Sequence, residues 1–239
     1  MSRHRLFCFG HRGARGHEPE NTVRSVRKAL ALGADGIEID VYFVDGELIV
    51  IHDDTLDRTT NGKGRLNDKT FKYLRSLDAG KGGRIPTLRE IFRAVNRRAL
   101  INIELKGPAT AAPVATLIEE YIKRHDWKFR DFLVSSFDWP QLREIKSLCP
   151  RIRTGLLADR VPRDLLKTAR AMKAWSIHPN ARRVKKALVQ KAHRHGLKVF
   201  AYTVNHSKRI AAMKKMGIDG VFTDFPERIG EAKATAARK

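Results

Sequence analysis

The 239-residue sequence is short of several things, and each shortage removes a class of protein. No stretch approaches the roughly 18 to 20 unbroken apolar residues that a membrane-spanning helix needs. The opening segment, MSRHRLFCFGH, has only a four-residue apolar run and no cleavage-site pattern, so a secretory signal is not read there and the expected location is the cytoplasm. Two cysteines, Cys8 and Cys149, allow at most one bridge and have no metal-ligand spacing; both are expected as thiols. A Gly-rich dinucleotide fingerprint after the first strand is missing, as are zinc-finger and RNP-type motifs.

Acidic residues are also scarce, 26 Asp and Glu against 48 Lys and Arg, for a net charge of +22. Such a balance invites polyanionic partners. The cations nevertheless recur throughout, in RKAL, LRSL, ARRVKK, KAHRHGLK and MKKMG, mostly between apolar positions of helical segments. A solvated helix face accounts for that pattern as well as a binding patch does, so no specific nucleic-acid partner is expected.

What the chain does contain is regular alternation. Eight β-rich runs (RLFCFG, GIEIDVYF, ALINIEL, FLVSSF, RTGLLA, AWSIHP, KVFAYTV, GVFTDF) are separated by segments of helical periodicity, several of which stop at a glycine: Gly33, Gly196 and Gly217. That arithmetic predicts an α/β protein, a (βα)8 barrel, with residues 1–239 as one domain. A doubly wound open sheet is the other arrangement, but it lacks its fingerprint. Residues 53–84 are polar and rich in Gly and Thr, and read as a small rim insertion between strand 2 and helix 2.

In such a barrel the active site forms at the C-terminal ends of the strands. His11 and Arg12 follow the first strand; Glu38 and Asp40 lie on the second; Glu104 and Lys106 on the third; Asn205 and Asp224 close the last two. Residues two apart share a strand face, so Glu38 and Asp40 point the same way. Burying three carboxylates costs several kcal/mol each unless cations compensate, and Arg12 and Lys106 do not balance three acids. A divalent metal held by Glu38, Asp40 and Glu104 resolves the cost, and an all-oxygen donor set favours Mg2+ or Ca2+. Asp45-Gly46 marks a hairpin; a three-residue loop, Val44-Asp45-Gly46, is the register that would set His52 beside Glu38. Two histidines, His11 and His52, flanking a metal and two cations suit a phosphodiester: one imidazole takes a proton from the nucleophile and the other protonates the departing alkoxide.

These motifs, HRG (11–13) with PENT (19–22), EID (38–40), HDDTLDRTTNGKG from His52, IPTL (85–88), IELK (103–106), YTVN (202–205) and GIDGVFTDFP, run in order along nearly the whole chain. The sequence resembles the glycerophosphodiester phosphodiesterases. The resemblance implies a (βα)8 barrel with a small insertion, one divalent cation, and hydrolysis of glycerophosphodiesters to glycerol 3-phosphate and an alcohol. It implies His11 and His52 as the acid/base pair, Glu38, Asp40 and Glu104 as metal ligands, and Arg12 and Lys106 as phosphate contacts. Asn21 matches the PENT asparagine and reads equally as a substrate contact or a helix cap. Tyr202 stands where the family commonly has Trp, implying a smaller or more polar pocket wall.

Two other readings stand beside this one. A phospholipase D-like activity on lysophospholipids or other lipid phosphodiesters would need an apolar ramp. Phe71, Tyr73, Leu74 and Leu77 with the basic residues between them offer either weak contact with an anionic membrane or a short helix packed on the rim. A non-catalytic polyanion-binding barrel would use the charge but leaves the acids unexplained.

Overall fold

The computed structural model describes residues 5–230. In chain order the strands are β1 (Phe7–Gly10), β2 (Gly36–Val44), β3 (Glu47–Val50), β4 (Leu100–Leu105), β5 (Phe132–Ser136), β6 (Arg153–Ala158), β7 (Ser176–Pro179), β8 (Lys198–Ala201) and β9 (Gly220–Thr223). All except β3 are parallel, and β1 pairs with both β9 and β2, which closes the eight expected runs into a barrel. Helices α1 (Val23–Ala31), α2 (Phe71–Ser76), α3 (Leu88–Val95), α4 (Ala111–Arg124), α5 (Trp139–Leu148), α6 (Leu165–Ala171), α7 (Lys186–Arg194) and α8 (Ser207–Met216) fill the connections. None of the described helices is long and apolar enough to cross a membrane.

Alternation along the strands sorts the side chains. Ile37, Ile39 and Val41 of β2, and Ile101, Ile103 and Leu105 of β4, join the main hydrophobic cluster, leaving Glu38, Asp40, Asn102 and Glu104 on the opposite face. Inside the barrel Phe9, Leu133, Phe200 and Phe222 form a separate apolar floor, with the Phe9 and Phe222 rings stacked at 4.7 Å. The interior is therefore apolar below and ionic above.

Helix ends follow local chemistry. The Thr22 hydroxyl accepts from the Ser25 amide to start α1, and Thr87 and Glu90 form a reciprocal capping box on α3. Gly217 ends α8 with φ 82°, a left-handed conformation that costs glycine little, and Gly33 and Gly196 stand just beyond α1 and α7 in the same way.

The β2–β3 hairpin differs from the expected loop. Val44 pairs with Glu47, so the connection is two residues, Asp45 and Gly46, with φ 50° and 80°. Asp tolerates the left-handed region that Gly adopts freely, and the resulting primed turn matches strand twist. In this register His52 would fall opposite Ile39, but the ladder ends with the Ile51 amide donating to the Asp40 carbonyl. Beyond that point the backbone bends, and strand alternation no longer dictates where His52 points.

Residues 53–84 pack on this hairpin. Leu56, Leu66, Leu74, Leu77 and Ala79 bury themselves against Val44, Ile49, Ile51 and Ile85. Leu74 and Leu77 are thus core residues, Phe71 packs partly against them, and Tyr73, at 40% exposure, is the one large apolar side chain of α2 left open.

Candidate functional site

Strand register gathers the acids. In the β2–β4 pair Glu38 lies opposite Asn102 and Asp40 opposite Glu104. One carboxylate oxygen from each of Glu38, Asp40 and Glu104 falls within a group whose members all lie within 4.8 Å of one another. All three are nearly buried. Burial and the neighbouring carboxylates push Glu38 well above the usual range, and burial with the Asp40 charge raises Glu104.

The first turn is built to meet this cluster. Arg12 adopts φ 52° and its amide donates to Glu38 Oε2 at 2.8 Å. Its guanidinium reaches Asp40 Oδ2 at 3.3 Å and Glu20 Oε1 at 2.6 Å. Burial opposes the charge on Arg12, but Asp40, Glu20 and Glu38 outweigh it and its pKa is raised. Lys106 donates to Glu104 Oε1 at 3.0 Å and to His52 Nε2 at 3.2 Å, with Asp40 Oδ1 at 3.9 Å.

Both histidines are oriented by a carboxylate. His11 Nδ1 lies 2.6 Å from Asp224 Oδ1, and Asp224 is in turn held by Asn205 Nδ2 at 2.7 Å. His52 Nδ1 lies 2.6 Å from Asp53 Oδ1, which also receives Arg58. Lys106 donating to Nε2 requires the proton of neutral His52 to sit on Nδ1. Burial, partly offset by Asp40 and Asp53, lowers the His52 pKa below that of a free imidazole.

Asn21 turns out to serve Asp40. Its Nδ2 donates to Asp40 Oδ2 at 2.9 Å, its Oδ1 accepts from the Asp40 amide at 3.2 Å, and Thr22 supplies the helix cap instead. Asn21 is buried beside Asp40 and, like Asp40, is not among the residues lining the cavity. The open space, about 290 Å3, is bordered by His11, Arg12, Glu38, His52, Glu104 and Lys106. Its opposite wall is Phe137 and Tyr202, with ring centroids 5.9 Å apart in an edge-to-face contact, above Leu157 and Phe222. Tyr202 is thus one of the residues lining the cavity.

Several contributors were not singled out from sequence. Glu20 accepts from Arg12 and Arg58 and forms an ion pair with Arg15, tying the first turn to residues 53–84. Asp53 was read only as part of the polar insertion, and Asp224 only as a strand end; Asp53 meets its sequence neighbour His52, while Asp224 and His11 meet across 213 residues. Of the other histidines, His178 is a core residue, bonded to Ser176 Oγ at 2.8 Å and pushed down to about 3 by burial. His193 pairs with Asp219 at 2.8 Å.

A closed parallel barrel with clustered acids, cations and two carboxylate-held imidazoles at the strand ends is a (βα)8-barrel hydrolase site. Comparison with known proteins makes the class specific. The glycerophosphoryl diester phosphodiesterase family matches residues 11–228. A glycerophosphodiester phosphodiesterase of Caldanaerobacter subterraneus subsp. tengcongensis is 38% identical over 235 residues, covering 94% of this chain and 96% of its own. One from Bacillus altitudinis is 39% identical over 236 residues, covering 92% and 95%. Among solved structures, an Oleispira antarctica phosphodiesterase in complex with the product sn-glycerol-3-phosphate superposes with a TM-score of 0.88 at 30% identity, over 95% of this chain and 96% of that one. The chain belongs to the glycerophosphoryl diester phosphodiesterase family and is a phosphoric diester hydrolase.

Proposed function

We propose that this chain hydrolyses soluble glycerophosphodiesters to sn-glycerol 3-phosphate and an alcohol, with one divalent cation and a histidine acid/base pair. The observation that carries this reading is the cluster of Glu38, Asp40 and Glu104 between His11 and His52 in one cavity. The donor set fits a cation: all donors are carboxylate oxygens, and Glu38 Oε1 is buried with no hydrogen-bond partner. Bound there, Mg2+ or Ca2+ would supply positive charge to phosphoryl oxygens and let all three acids stay ionised.

The chain's own residues do the rest. Arg12 and Lys106 bind the remaining phosphoryl charge, and Asn21 holds Asp40 in place. His52, neutral and unprotonated at the Nε2 to which Lys106 donates, takes the proton from the attacking water, or from the neighbouring glyceryl hydroxyl, in which case a water must then open the cyclic phosphate to give sn-glycerol 3-phosphate. His11, held through Nδ1 by Asp224, gives a proton to the alkoxide as its bond to phosphorus breaks. Phe137 and Tyr202 border the space for the organic part of the diester. The chemistry is that of a small polar substrate, and the reading places it in the cytoplasm, where Cys8 and Cys149 stay reduced.

The test is hydrolysis of glycerophosphocholine by His11→Ala and His52→Ala. Both variants are expected to keep the circular dichroism of the parent and to lose turnover by at least about 100-fold, the scale of general acid/base catalysis. A near-normal rate in either variant removes that histidine from its role.

A further inference from the structure

The surplus of positive charge is not spread evenly over the molecule. Residues 1–138 carry 24 Lys and Arg against 19 Asp and Glu, whereas residues 139–218 carry 20 against three, Glu144, Asp159 and Asp164. That second segment contributes α5, α6, α7 and α8, half of the barrel's outer wall. The two halves also differ in pairing. Arg12, Arg15, Arg24, Arg58, Arg75 and Lys106 each meet a carboxylate, while among the described residues Lys198 is the sole cation of the 139–218 segment that does so.

This half-wall has grooves. Arg143 and Lys146 of α5 face Lys167 and Lys173 across a depression of about 750 Å3. A second depression, about 440 Å3, lies between Arg163, Lys167 and Arg170 on one side and Lys191 and His195 on the other. Lys167 borders both, so the two adjoin across α6, and Asp164 is the only acid in either lining. Neither includes a residue of the hydrolytic cavity.

We propose that the α5–α6–α7 face is a second binding site, which takes the phosphodiester backbone of single-stranded nucleic acid without regard to sequence. Lys and Arg without carboxylate partners, lining two depressions that adjoin across α6, suit a chain of regularly spaced phosphates, whose neutralisation releases counterions. A bilayer fits less well. The cations wrap around several helices of a cylinder instead of lying in one plane, and Leu148 is the one exposed large hydrophobic residue on the described part of this half, leaving nothing to insert. The lack of exposed aromatic rings there also removes base stacking, which makes recognition electrostatic and sequence-tolerant.

The experiment is fluorescence anisotropy of a labelled oligothymidylate of about 20 nucleotides with the full-length protein. About six neutralised phosphates give a slope of log affinity against log salt near −4, or about 250-fold weaker binding between about 50 and 200 mM salt. The double variant Lys167→Glu/Arg170→Glu should weaken binding by at least about tenfold and leave glycerophosphocholine hydrolysis unchanged, whereas Arg27→Glu/Lys28→Glu on α1 should change binding less than about twofold. EDTA should have no effect on binding. Four results would overturn the proposal: no saturable binding at low salt, affinity indifferent to the α6 reversals, loss of binding with EDTA, which would put the anion in the hydrolytic cavity, or tighter binding to phosphatidylglycerol vesicles than to the oligonucleotide.

Discussion

Replacing Glu20 by Gln should destabilise the protein in a pH-dependent way that its surroundings fix in sign. Glu20 Oε1 accepts from Arg12 at 2.6 Å and Arg58 at 2.8 Å, and Oε2 accepts from Arg58 at 3.0 Å and forms an ion pair with Arg15 at 3.0 Å. Burial alone would raise its pKa; Arg58 and Arg12 overcome that and hold it at about 2 against an ordinary 4.5. A carboxyl depressed in the folded state stabilises the fold fully above its unfolded pKa, and this contribution fades as pH falls through the folded value. The depression corresponds to about 3.4 kcal/mol at full weight, or about 2 kcal/mol once solvent screening of the outer arginines is allowed for. Guanidinium unfolding of the parent and Glu20→Gln should therefore differ by about 2 kcal/mol near pH 7 and converge near pH 2. Equal stability near neutrality would refute the reasoning, and so would a gap that does not narrow on acidification. Arg58 also holds Asp53, and Asp53 holds His52, so the variant should lose turnover as well.

The other predictions concern the two imidazoles and the turn that carries one of them. Asp224→Asn weakens the charge-assisted bond that holds His11; the loss of about 1.5 to 3 kcal/mol should appear as a fall of about 10- to 150-fold in kcat with KM nearly unchanged, and kcat within twofold of the parent would contradict the positioning role. Because burial lowers the His52 pKa despite Asp40 and Asp53, its basic form persists into mild acid, and the acid limb of the kcat/KM profile should fall below pH 6.5. A limb above that value would exclude His52 as the base. Gly13→Ala puts a Cβ 2.5 Å from the Ser25 carbonyl carbon at φ 81°, and should lower both stability and turnover, checked by thermal unfolding; an unchanged midpoint would show that the turn can relax.

How much of this was readable before the structure depends on the range of the interaction. All eight barrel strands were visible because their apolar runs are local; the shared face of Glu38 and Asp40 follows from the two-residue repeat of one strand, while Glu104 joins them through the β2–β4 register that sets it opposite Asp40. The β2–β3 turn has two residues and not the expected three, because His52 need not stay on a strand face. The chain leaves the ladder at Ile51, and a bend, not alternation, directs the imidazole. Asn21 and Thr22 compete for the same cap in sequence; only the packing of the first turn on β2 sends Asn21 to Asp40 and leaves the cap to Thr22. Asp224 meets His11 across 213 residues, and Glu20 meets Arg58 across 38, in segments without periodicity that could announce a partner.

The most direct test of the account is release of sn-glycerol 3-phosphate from glycerophosphocholine after the protein has been stripped with EDTA, before and after adding Mg2+ or Ca2+. The account predicts no release from the stripped protein and recovery with one of the ions, a recovery that Glu104→Gln should lose. Full activity after stripping would contradict the assignment of Glu38, Asp40 and Glu104 as the cation's ligands.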